Sequence, residues 1–155
     1  MEEKIIKLDV GCGYNKQKGY VGLDKRKYDG VDIIHDIEKF PWPLEDNSCS
    51  VIVMYDVIEH IKPWFTVDVI NECWRILKEG YLLGIQTPYA TSSGYYQAPD
   101  HCNPWNEFTP MFFDKEHELF ECYEPKPWKV EKVLWKVETA IQIAMRKIDG
   151  KNSCK

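Results

Sequence analysis

Leu8-Asp9-Val10-Gly11-Cys12-Gly13, followed soon after by Tyr20-Val21-Gly22-Leu23-Asp24, is the stretch from which the fold is read. The first segment is an apolar-rich run ending in a glycine-rich turn, and the second is another such run ending in an acid. Glycine tolerates positive φ and carries no Cβ, so a turn built on Gly11 and Gly13 lets backbone approach a bound molecule closely. Asp24, closing the next strand, offers a carboxylate that can accept from two neighbouring hydroxyls at once. Together these features read as a site for a nucleoside-containing ligand at the ends of two adjacent strands.

Outward from that pair, Val31–His35 and Val51–Tyr55 are further β-type runs. The four runs are mostly continuous rather than alternating, which suits strands covered on both faces of a parallel sheet. Phe40–Asn47 is a proline-punctuated loop. From Thr66, the residues Ile70, Cys73, Trp74 and Leu77 recur at helical spacing; Thr66 is the expected N-cap, Asp68 lies in the first turn and Gly80 is the stop. A fifth strand, Tyr81–Thr87, closes at Pro88, and strand-helix-strand order predicts a right-handed parallel crossover. Residues 89–108 form a long loop, Thr109-Pro110 opens a helix running to about Phe120, and Trp128–Val137 with Glu138–Ile148 predicts an antiparallel hairpin. Only Tyr14–Gly19 separates the first turn from the second strand, too few residues for a helical crossover. The expectation is an α/β, doubly wound, mostly parallel sheet in one domain over 1–155. It lacks or reduces its first crossover helix, and 149–155 is a flexible tail.

Composition narrows the function. With 155 residues, a formal charge of −5 and no block of Lys or Arg, the chain lacks the footprint of a protein that grips nucleic-acid phosphates. Its six cysteines lack CxxC spacing, and neither a signal segment nor a spanning segment is apparent, so a cytoplasmic protein with reduced thiols is expected. Cys102 beside His101, with Cys122 farther on, matches no zinc pattern, and no metal is expected.

Leu8–Gly13, Gly22-Leu23-Asp24, His35-Asp36-Ile37 through Pro43, Asp46–His60 and Trp74–Gly80 occur in the order of the class I S-adenosylmethionine-dependent methyltransferases. The chain resembles that family over residues 5–88, most closely its small bacterial and phage-type, methyltransferase-11-like members. Those carry an Asp-Pro-x-His element before an aromatic helix; here Pro99-Asp100-His101 and Phe108–Phe113 stand there, with the Asp and Pro order altered. The resemblance implies a Rossmann-like fold with S-adenosylmethionine as cofactor. It implies that amides around Gly11, Cys12 and Gly13 approach the amino-acid moiety, and that Asp9 orients the turn or meets the ammonium. Asp24 is implied to take the ribose hydroxyls, Asp36 and the Ile37 amide the adenine, and Asp56 to touch the cofactor from the fourth strand's end.

A base is needed only where the acceptor must lose a proton, and His60 and His101 are the candidate general bases; each could equally be a capping or packing histidine. Tyr89, Tyr95, Tyr96 and Trp105 could form an acceptor pocket or a lid. The acceptor is left unidentified, with a small molecule, sugar or lipid precursor favoured over nucleic acid, and exposed aromatics allow a homodimer. A regulatory module that binds the cofactor without transferring methyl is the alternative. An NAD-dependent oxidoreductase fits less well, because Lys16 stands where a third glycine belongs and Asp24 comes too early.

Overall fold

In a computed structural model that describes residues 5–136 and 139–150, the chain forms strands β1 (Ile6–Val10), β2 (Val21–Asp24), β3 (Ile33–Ile34), β4 (Cys49–Tyr55), β5 (Leu77–Pro88), β6 (Trp128–Lys136) and β7 (Ala140–Lys147). It also forms helices α1 (Thr66–Ile76) and α2 (Ser93–Tyr96). The strands make one sheet in the order β3-β2-β1-β4-β5-β7-β6. β1 to β5 pair in parallel, and β7 is antiparallel to both β5 and β6. This is the expected Rossmann-like sheet with a C-terminal hairpin. The chain runs outward from β1 through β2 to β3, then crosses back to β4 and β5. That reversal between β1 and β4 is the topological switch point, outside which ligands bind in open α/β sheets.

No helix joins β1 to β2, as the short spacer predicts. The connection folds back as turns onto β2: a Cβ on Gly22 would lie 2.6 Å from Lys16 Cδ and 2.7 Å from Cys12 Sγ. The absence of a side chain at Gly22 thus leaves room for the folded-back connection. Lys16 is held there by Asp32, whose Oδ2 also accepts the Gly22 N–H at 2.7 Å.

α1 buries Val69, Ile70, Cys73 and Ile76 on one face against the sheet core of Leu8, Ile52, Met54 and Leu83. In the hairpin, Ile141, Ile143 and Met145 are buried in alternation, as their spacing requires. Trp42, Trp105 and Trp128 are fully enclosed. Among the described residues no helix is long and apolar enough to cross a membrane.

Several boundaries differ from the sequence expectation. Phe65, not Thr66, caps α1, and the Thr66 hydroxyl instead accepts from Asn103 Nδ2 at 2.9 Å. The helix stops at Ile76 and β5 begins at Leu77, with Gly80 at φ 79° inside the strand rather than acting as a helix stop. Pairing with β4 shifts register there, between Cys49 and Val51, so the glycine serves an irregularity in the strand. β3 spans only two residues: the Val31 amide just before it turns back onto the Tyr28 carbonyl, while the Asp32 amide still bonds β2 at the Gly22 carbonyl. The predicted helix at Thr109–Phe120 is two 3₁₀ turns, Thr109–Phe113 and Glu118–Cys122. Asp114 divides them: its Oδ2 accepts the Val130 N–H of β6 at 2.8 Å, which ties the backbone to the sheet. Of the expected tail, Gly150 is anchored by Lys115 Nζ on its carbonyl, and 151–155 lie outside the described residues. So do positions 137–138 of the predicted hairpin strands.

Candidate active site

β1 and β2 pair with Val10 opposite Leu23, so the bend after β1 lands on the end of β2. The amides of Gly11 and Cys12 both donate to the Leu23 carbonyl, and Gly13 N–H donates to Asp24 Oδ2 at 3.0 Å. Gly11 has φ 66° and Gly13 φ 50°, conformations that L side chains resist. The three amides expected to face the ligand are thus committed inside the protein. What the bend leaves to a ligand is close approach of bare backbone at Gly11, which borders the cavity at the strand ends.

Asp24 is 6% exposed and still lines a cavity of about 290 Å³ at the switch point. Its Oδ2 takes Gly13 N–H, and its Oδ1 takes Arg26 N–H at 2.8 Å. Each oxygen keeps a further lone pair, so the carboxylate is aimed by backbone and still able to accept a pair of hydroxyls. Gly11, Asp36, Ile37, Asp56 and His60 line the same cavity. Asp36 is turned by the Glu38 amide on its Oδ1. Glu38 in turn binds Lys62 through both the backbone amide and Nζ, at 2.8 and 2.6 Å, tying two walls of the cavity together. The volume lies near the lower end of the ~300–1,000 Å³ usual for small-molecule sites. A bare bend, a half-satisfied buried carboxylate and an apolar-polar wall fit a nucleoside-bearing cofactor.

Asp9, Cys12 and Gly13 are not among the lining residues. Asp9 is buried and accepts the Gln17 N–H at 2.7 Å, so it orients the spacer after the bend; burial pushes its carboxyl above the usual range. Cys12 is buried with its sulfur against Gly22, and its thiol is likewise pushed up by burial, then by Asp9 and Asp24. Trp42 is a core residue, its Nε1 donating to the Ile37 carbonyl.

A second cavity of about 540 Å³ adjoins the first and shares Asp56 and His60 with it. Glu59, Gln86, His101 and Thr139 also line it. Asp56 sits at φ 56°, a left-handed conformation uncommon outside glycine, with its N–H on the Gln86 carbonyl of β5. The loop that carries His101 is held onto the turn after β4: Cys102 and Asn103 amides both donate to the Glu59 carbonyl, and Asn103 Nδ2 donates to the Ile58 carbonyl. The result is that His60 and His101, far apart in sequence, meet edge to face with ring centroids 4.7 Å apart. His60 Nδ1 lies 3.1 Å from Asp100 Oδ2, and His101 Nδ1 lies 2.6 Å from the Tyr95 carbonyl.

Glu59 was not singled out by sequence reasoning. It is 1% exposed, and its Oε2 accepts from the Thr87 hydroxyl at 3.0 Å while Oε1 has no hydrogen-bond partner among the described residues. Burial pushes its carboxyl up to about 7, with the Asp56 charge adding and the Thr87 bond and His101 opposing. Its one sequence signal is an acid directly after the apolar pair Val57-Ile58 and directly before the candidate base His60. Of the loop aromatics, Trp105 is a core residue stacked on Phe113, Tyr95 is buried, Tyr89 donates to Glu107 and Tyr96 is exposed; none lines the second cavity.

A family model described as a methyltransferase domain matches residues 18–84. The chain is 28% identical over 150 residues to a "Probable S-adenosylmethionine-dependent methyltransferase" of Mycolicibacterium smegmatis, covering 82% of this chain and 53% of that protein. A similarly named protein of Mycobacterium tuberculosis is 29% identical over 97 residues, 52% of this chain and 35% of the relative. The chain therefore spans about half the length of the first relative and about a third of the second. In three dimensions it is similar to a SAM dependent methyltransferase from Archaeoglobus fulgidus, with TM-score 0.67, 16% identity and coverage of 94% of this chain and 88% of that one. It is also similar to one from Methanosarcina mazei, with TM-score 0.62, 16% identity and coverage of 96% and 94%. At such identities the structural likeness is one of fold.

Proposed function

We propose that the chain, which resembles S-adenosylmethionine-dependent methyltransferases in its matched domain and its named relatives, binds S-adenosylmethionine in the first cavity and transfers its methyl group to an acceptor in the second. One observation carries this reading: Asp56 and His60 line both cavities, so donor and acceptor would meet across a wall of single side chains. S-adenosylmethionine supplies an electrophilic methyl on a sulfonium and is left as S-adenosylhomocysteine once the carbon–sulfur bond breaks and an acceptor lone pair takes the carbon.

The chain's own part is positioning, which can supply ~7–11 kcal/mol of barrier reduction. In this reading Asp24 receives the ribose hydroxyls, Asp36 and Ile37 meet the base, and Gly11 allows the cofactor close to backbone. Asp56 bridges cofactor and acceptor sides. The cluster of Glu59, His60 and His101 is where a protic acceptor loses its proton. A small-molecule acceptor, such as a sugar or lipid precursor, is favoured by a second cavity of about 540 Å³ and by the net charge of −5. A cytoplasmic setting is supported by the free thiols of Cys12, Cys49, Cys73, Cys102 and Cys122.

Isothermal titration of S-adenosylmethionine, followed by release of S-adenosylhomocysteine across a panel of hydroxyl, carboxyl and amine acceptors, tests the proposal. Binding heat and product release support it, and absence of heat with the wild-type chain rejects it. A second reading, a regulatory module that binds the cofactor without transferring methyl, draws on the thin helical cover, in which α1 is the one α-helix longer than four residues among those described. Binding without product release from any acceptor would favour that module.

A further inference from the structure

The deepest polar group in the second cavity is unfinished. Glu59 is 1% exposed, and its Oε1 has no hydrogen-bond partner among the described residues. A buried carboxylate oxygen with nothing to bond bears its full desolvation cost without return. Within 4.8 Å of one another lie a carboxylate oxygen of Glu59 and one ring nitrogen each of His60 and His101.

The two imidazoles are also already oriented. His60 presents Nδ1 to Asp100 Oδ2 at 3.1 Å, and His101 presents Nδ1 to the Tyr95 carbonyl at 2.6 Å. An imidazole whose N–H is given to a carboxylate or carbonyl is held in one tautomer and one plane, with its other nitrogen left as a lone pair. Metal-ligating histidines are supported in the same way.

We propose that Glu59, His60 and His101 bind one divalent transition-metal cation, of the zinc or iron(II) class, at the floor of the second cavity. Two imidazoles and one carboxylate suit such ions, whereas calcium and magnesium favour all-oxygen sites. Three protein ligands leave at least one coordination position open, and all three residues line the cavity. Closing the ligands to bonding distance contracts the widest spacing by roughly an ångström. Cys102, beside His101 in the chain, is not a ligand; its thiol donates to the Ile61 carbonyl at 3.5 Å. With the cation bound, the His60 and His101 lone pairs are spent on it, so an acceptor hydroxyl in the open position would be acidified by the metal and lose its proton to solvent rather than to a free histidine; that role rests on the methyl-transfer reading, and the cation site itself does not.

The test is titration of Zn2+ into the full chain after chelator treatment, with Co2+ absorption in the visible region reporting the ligand field. One ion per chain is expected, with binding abolished in His101→Ala and Glu59→Gln and retained in Cys102→Ser. Circular dichroism checks that each variant is folded. Should the buried variants fail to fold, Asp100→Asn, on the exposed outer partner, decides: a loss of about 10–100-fold in Zn2+ affinity is expected. No saturable Zn2+ binding by the wild-type chain, or binding unchanged in Asp100→Asn and His101→Ala, overturns the proposal. S-adenosylmethionine binding without Zn2+ binding defeats the cation site alone. Zn2+ binding without S-adenosylmethionine binding defeats the methyl-transfer reading and leaves the cation site standing.

Discussion

The carboxylate of Asp24 accepts the backbone N–H of Gly13 at 3.0 Å, so the acid that ends β2 is joined directly to the bend that ends β1. The two halves of the candidate cofactor site are one hydrogen-bonded unit, and its perturbation should be felt on both sides.

Asp24→Ala should weaken S-adenosylmethionine binding. Hydrogen bonds to a charged group contribute about 1.5–3 kcal/mol, so the dissociation constant should rise by roughly 10- to 150-fold. Isothermal titration measures this directly; unchanged affinity would remove Asp24 from the site. Asp24→Asn should lose less, because the amide oxygen can still accept one bond.

Gly11 and Val57 form a matched pair. At Gly11 the backbone has φ 66°, and an added Cβ would lie 2.5 Å from Val57 Cγ2. Gly11→Ala should therefore destabilise the fold by about 2–4 kcal/mol, from left-handed strain plus the clash. Gly13→Ala faces open space and should cost only the strain, about 1–2 kcal/mol. Urea unfolding of Gly11→Ala with and without Val57→Ala should show a positive rescue, and additivity would refute the clash.

Asp56 separates strain from function. Its φ of 56° should cost about 1 kcal/mol or more, so Asp56→Gly should leave stability equal or slightly raised. Binding of S-adenosylmethionine or product formation should fall all the same, because the carboxylate lining both cavities is lost. Thermal unfolding and titration of the same preparation give the two readouts. Reduced stability with intact binding would contradict the assignment.

The Glu72–Arg75 pair sets an acid limit on stability. Arg75 Nε and a terminal nitrogen bond both Glu72 oxygens at 2.7 and 2.8 Å, and the Trp42 N–H donates to the same carboxylate at 2.7 Å. Burial pushes the Glu72 carboxyl up, but the guanidinium bonds and the Trp42 amide outweigh it and hold the carboxyl below its ordinary value. With the folded value below the unfolded one, the unfolded chain binds more protons as pH falls through the acid range. The stabilisation is present above the ordinary carboxyl value and is lost as pH drops through the folded value. Urea midpoints measured from neutral to acid pH should fall in that window, and Glu72→Gln should flatten this part of the profile. An unchanged slope in Glu72→Gln would show that other carboxylates govern it.

Much of the molecule was legible in the chain because it depends on local rules. The bend at Gly11 and Gly13 and the alternation of Ile141, Ile143 and Met145 need only backbone sterics and strand periodicity. The missing first crossover helix followed from counting Tyr14 to Gly19. The break at Asp114 was not legible, because a sheet amide from Val130 decides it. Nor was the early start of β5 at Leu77, where pairing with Cys49 wins over the helix that precedes it. The commitment of the Gly11 and Cys12 amides to Leu23 also depends on the register of a neighbouring strand.

From the amino-acid order alone came the parallel sheet, its antiparallel tail and the paired bend and acid at the strand ends, since apolar run length, glycine conformation and spacer length are properties of contiguous residues. Tertiary structure alone decided that Glu59 is buried with an unbonded oxygen and that His60 and His101 stand edge to face. Those facts arise from the Asn103 and Cys102 bonds that draw a distant loop onto the turn after β4. Burial and proximity between residues far apart in the chain are set by such closure, and no local pattern encodes them.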